Sequence, residues 1–169
     1  MKKIVLLFLI ISSYAYASFP EDLFGISLGM DQKAVEMIMN KNNLKKCKID
    51  GNSRDKVCYS GGDLQVLGIR FDEVTISYNN NMVNGIIFKL FIPQEEGTQR
   101  RIFRNLYDEI KPFARSAKDE NIRYNYLFKL KDKQEDKYIR LSIKEILQGD
   151  VGYNIILTSS YTDKRLSEY

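Results

Sequence analysis

Apolar side chains change their spacing twice along this chain, and each change marks an element. Phe24-Gly25-Ile26-Ser27-Leu28-Gly29-Met30 reads as a glycine-punctuated turn that delivers Phe24, Ile26 and Leu28 into a core. Asp31 is a good N-cap, and Ala34, Val35, Ile38 and Met39 fall at helical spacing, so a helix is predicted to about Asn40. Residues 45–63 are polar and turn-rich, with Gly51-Asn52-Ser53 as a loop tip. From Leu64 the period becomes two. Leu64 to Phe71 reads as a strand or bent strand pair, with Gly68 a candidate bulge. Val74, Ile76 and Tyr78 alternate with polar residues, Asn79-Asn80-Asn81 signals a hairpin, and Met82 to Ile92 returns as a longer strand stopped by Pro93. Helical spacing resumes at Ile102, Phe103, Leu106, Tyr107 and Ile110, behind Thr98 as cap and ahead of Pro112. Residues 113–121 read as a polar connection. Three alternating strands follow, carried by Tyr124, Tyr126, Phe128 and Leu130, by Ile139, Leu141 and Ile143, and by Tyr153, Ile155 and Leu157.

Strands joined by short hairpins are antiparallel, so the fold class is α+β: two αβββ-type halves forming an antiparallel sheet with helices packed on one face. The halves are 24–93 and 97–161, within one domain 18–161, and 162–169 form a polar tail. No long Pro/Ser/Gly linker separates the halves.

The first seventeen residues have a different pattern. Lys2 and Lys3 precede the apolar run Ile4 to Ile11, and Ala15-Tyr16-Ala17 places small residues where a signal peptidase reads. Cleavage is expected before Ser18, leaving a mature chain in the periplasm or outside the cell. The run falls short of the roughly 20 residues a spanning helix needs, and Ser18 is not a lipid-anchor cysteine. Neither a transmembrane segment nor a lipid anchor is expected. An exported chain with Cys47 and Cys58 as its two cysteines points to a disulfide. It closes a loop of about a dozen residues, worth roughly 2.8 kcal/mol by loop-closure entropy.

Composition removes whole classes of chemistry. The net charge is +4, halved once Lys2 and Lys3 leave, so there is no broad electrostatic attraction to nucleic acid. There is no histidine, which excludes Ser-His-Asp and Cys-His mechanisms and removes the commonest metal ligand. A carboxylate-only calcium site would remain. The acidic groups Asp72-Glu73, Glu95-Glu96 and Asp132 with Glu135-Asp136 lack calcium-loop spacing and read as solvated turns and strand ends. Gly61-Gly62-Asp63 lacks the Lys-Ser/Thr and helix of a phosphate loop and reads as a turn. With no Ser-x-x-Lys at a helix start either, no catalytic residue, metal or cofactor is assigned.

Recognition residues are easier to nominate. The chain has 11 tyrosines and no tryptophan. Tyrosine gives large contact area with a polar tip, and Tyr124, Tyr138 and Tyr161, in the tyrosine-rich second half, are candidate contacts. Tyr126 and Tyr153 read as core. Two basic clusters stand out: Lys45-Lys46-Cys47-Lys48, and Arg100 and Arg101 with Arg104 on the wet side of the second helix. Either would suit an anionic partner, but groups of three cations are common surface features and the plainer reading of each is a solvated face.

The export signal, the Leu28-Gly29-Met30-Asp31 turn and the order of elements together resemble a group of small periplasmic proteins. These share the tandem fold of β-lactamase-inhibitory protein and of the small lipoprotein in the outer-membrane barrel-assembly machine. The resemblance implies a fold used for binding rather than catalysis. The reading is therefore an exported, non-catalytic protein that binds a partner protein, with Tyr124, Tyr138, Tyr161, Arg100, Arg101 and Arg104 as candidate contacts. The alternative is a carrier of a small or lipidic ligand, with Met37, Met39 and Met82 among the residues that could line its cavity.

Overall fold

The structure, a computed structural model, describes residues 22–49, 55–94, 97–119, 124–130, 137–146 and 152–161. The signal segment 1–17, the cleavage site at Ser18, the Gly51-Asn52-Ser53 tip, Glu95-Glu96, the Asp132, Glu135 and Asp136 group and the tail 162–169 lie outside these residues.

Helix α1 spans Gln32–Lys41. Its cap is Asp31, whose carboxylate accepts the Lys33 amide at 2.8 Å, as the sequence predicts. After it come β1 (Lys45–Cys47), β2 (Lys56–Ser60), β3 (Gln65–Val66), β4 (Ile69–Arg70), β5 (Glu73–Asn79) and β6 (Met82–Pro93). Helix α2 spans Thr98–Ile110 and runs into a 3-10 turn at Lys111–Phe113 that holds Pro112. It is followed by β7 (Ala114–Asp119), β8 (Asn125–Leu130), β9 (Tyr138–Ile146) and β10 (Gly152–Ser160).

Among the described residues, eight of the strands form one antiparallel sheet in the order β1-β2-β5-β6-β10-β9-β8-β7. At the centre β6 pairs with β10 from Gly152 opposite Pro93 to Ser160 opposite Gly85, and β9 pairs along the same stretch of β10. Register aligns one face into rows. One row runs Tyr59, Val74, Phe88, Leu157, Leu141 and Tyr126. The next runs Val57, Ile76, Ile86, Ser159, Ile139 and Phe128. These rows meet Val35 and Met39 of α1 and Phe103, Leu106 and Ile110 of α2 in one hydrophobic core. Alternation and helical spacing thus converge on the same interior, as the α+β reading requires.

Several local expectations are corrected. Residues 45–47 and 56–60 are strands, because each edge residue finds a partner on the next strand despite its polarity. Residues 114–119, read as a polar connection, form edge strand β7. Edge strands show little hydrophobic pattern, since charged side chains there deter pairing with other chains. Thr98 is not the cap of α2. Gly97 takes that place at φ 85°, with no capping side chain. Leu64 to Phe71 resolves into the hairpin β3–β4, and Gly68 is no bulge: with Leu67 it makes a two-residue turn at positive φ, 72° and 50°. Tyr124 sits in a turn just before β8 rather than in the strand.

A candidate basic and aromatic groove beside the second helix

Gln99, Phe103, Leu106 and Ile110 are the buried face of α2. The same helix places Arg100, Arg104 and Tyr107 on a neighbouring stripe that Lys111, at the start of the 3-10 turn, continues, at spacings of 4, 7 and 11 residues from Arg100. That stripe borders an open groove of about 670 Å³. Its lining is Arg100, Arg101, Phe103, Arg104, Tyr107, Asp108 and Lys111 from the helix side, and Tyr124 and Tyr126 from the start of β8.

The floor is aromatic. Tyr124 meets Phe103 edge-on at 5.3 Å between centroids, and Tyr126 meets Tyr107 at 4.8 Å. Phe103 to Tyr126 and Tyr107 to Phe128, at 5.9 and 5.5 Å, extend the contacts into the core. Such pairs add about 0.5–1.5 kcal/mol each beyond their buried area and tie the floor to the core. Cations stand over it: the Arg100 guanidinium lies 6.0 Å from the Tyr124 ring and the Lys111 ammonium 5.4 Å from the Tyr107 ring. Four cations face one carboxylate, Asp108. Arg101 and Arg104 have no ion pair among the described residues.

Tyr124 occupies the turn before β8 at φ 62°, the left-handed value that Phe24 also takes in the turn before α1.

The six nominated contacts separate. Arg100, Arg101, Arg104 and Tyr124 meet in the groove. Tyr138 lies on β9 in the row of the opposite sheet face, with the Lys129 ammonium 5.9 Å from its ring. Tyr161 is an anchor: its hydroxyl donates to the Leu28 carbonyl at 3.1 Å, tying the end of β10 to the turn before α1. Tyr107, Tyr126 and Lys111 complete the lining. The spacing from Arg100 points to Lys111, whereas Tyr107 and Tyr126 read in the sequence as members of apolar stripes.

The other basic cluster disperses. Lys46 pairs with Glu36 of α1 at 2.9 Å, lowering the Glu36 pKa through that hydrogen bond and charge. Cys47 and Cys58 face each other across β1 and β2 and form the expected disulfide, with 5.1 Å between their α-carbons. Glu73 lies near their sulfurs, but the sulfurs are bonded to each other and offer no thiolate. Among the described residues no helix is long and apolar enough to cross a membrane.

The chain matches no known protein family, no curated protein and no solved structure.

Proposed function

We propose that this chain is an exported, non-catalytic interaction protein that docks a partner protein outside the cytoplasm. The observation that carries the reading is the groove: arginines without an ion pair among the described residues stand beside an aromatic floor that includes Tyr124 and is open to solvent. Arginine and tyrosine are the residues that dominate binding energy at protein interfaces, and a preorganised floor limits the ordering cost of association. Export follows from the leader and agrees with the disulfide, since such bonds persist in oxidising compartments.

The sheet order supports reading the fold as two halves joined at β6 and β10. Strands β5, β2 and β1 run outward on one side and β9, β8 and β7 on the other, each set preceded by a helix in the chain. Each set departs from the αβββ order by one further strand in the large sheet, and the first also holds the separate β3–β4 hairpin. The carrier alternative has less support, because Met37 and Met82 are 67% and 43% exposed while Met39 is in the core. The three methionines line no common interior.

The test is an affinity pull-down from the native envelope with the exported protein, followed by mass spectrometry. One stoichiometric protein partner is the expected result. A co-purifying lipid or small molecule with no protein would replace this reading with the carrier.

A further inference from the structure

The geometry points to the groove beside α2 as the docking site for one kind of occupant: an extended, acidic segment of a partner protein. This rests on the interaction reading above and specifies its chemistry. The charge is complementary, with four cations against Asp108.

The spacing selects a polypeptide over a single anion. Arg100 to Lys111 covers about 16 Å at the helical rise, and Arg100 and Arg104 are about 6 Å apart along the axis. A single phosphate cannot touch cations spread over that length. An extended chain repeats its same-side residues about every 6.7 Å, so alternate carboxylates fall into register with Arg100 and Arg104. Guanidinium groups bind carboxylates through paired hydrogen bonds, and these two have planar groups free to do so among the described residues. Tyr107, Tyr124 and Tyr126 then offer ring surface to an apolar residue between the carboxylates.

The probe is a fluorescein-labelled ten-residue peptide with glutamate at alternate positions and one central phenylalanine. Its binding to the exported protein is read by fluorescence anisotropy at 50 mM salt. The expected result is saturable binding that Arg100→Glu with Arg104→Glu weakens at least ten-fold. Lys45→Glu with Lys48→Glu makes the same change in net charge on exposed residues elsewhere, and should stay within two-fold of the parent. Circular dichroism melts confirm that both variants are folded. Absence of binding, equal loss in both variants, or full displacement by sodium phosphate at matched ionic strength would each overturn the inference. The envelope pull-down, repeated with the arginine variant, separates the two readings. A partner retained by the variant removes the groove from the account and leaves the interaction reading standing, whereas no partner with either protein removes that reading itself.

Discussion

Two tyrosines of the core row region illustrate how much one atom matters. Tyr59 and Tyr78 are buried, and neither hydroxyl has a hydrogen-bond partner among the described residues. Burial pushes the Tyr78 phenol far up, helped by the nearby Tyr59, Glu36 and Asp31. Burial raises Tyr59 too, against the pull of Lys46. An unpartnered buried hydroxyl costs about 1–3 kcal/mol. Tyr78→Phe should therefore stabilise the protein by about 1 kcal/mol in urea unfolding. The sign with pH follows directly. The native phenols keep protons that the unfolded chain releases above its ordinary phenol range near 10. Stability should be complete below that pH and fall as pH rises beyond it, by up to about 1.4 kcal/mol per pH unit for each phenol. Tyrosinate absorbance should show these two rings ionising late, together with unfolding, and Tyr78→Phe should flatten the decline. Gly152 is the opposite case, where nothing can be added. A β-carbon there would sit 2.4 Å from the Ile92 carbonyl oxygen and 2.8 Å from the Phe91 ring. Gly152→Ala should lose about 2 kcal/mol, visible as a lower urea midpoint.

At the scale of elements, the disulfide closes the base of the turn-rich excursion between Cys47 and Cys58, and it does so from within a ladder. Cys47 and Cys58 are register partners, and β2 continues that ladder onto β5. The bond fastens the short edge strand β1 to the sheet. Cys47→Ala with Cys58→Ala should lower stability by about 2–3 kcal/mol without unfolding the sheet, so far-ultraviolet dichroism should persist. Helix α2 shows how one element serves two surfaces. Its apolar face holds the core while the adjacent stripe borders the groove, because 3.6 residues per turn place both within one helix without conflict.

The whole molecule is organised around a seam. The β6–β10 pairing lies at the centre of the sheet, with core side chains on both strands. Hydrogen exchange should be slowest for the amides of Phe88 and Leu157 and fastest at the edges β1 and β7, which have neighbours on one side only. Exchange as fast at the seam as at the edges would contradict a common core for the two helices. The groove lies away from this seam, at the β8 end of the sheet, so charge reversal there should leave the seam amides unchanged.

Periodicity determined the α+β class, both helices, the Asp31 cap and the strands whose alternate residues are buried, because each of these is a local response to one wet and one dry side. The cysteine pair and the missing histidine likewise fixed the disulfide and the closed chemistries without reference to shape. What only the tertiary structure decided is which surface residues meet. Arg100 and Tyr124 are 24 residues apart, and nothing in their local pattern links them; the packing of α2 beside β8 does. Tyr138 and Tyr161 share the composition signal of Tyr124 yet go to the opposite sheet face and to a hydrogen bond with Leu28. The edge strands β1 and β7 were likewise invisible, since their order comes from ladder partners supplied by other strands rather than from burial of their own side chains.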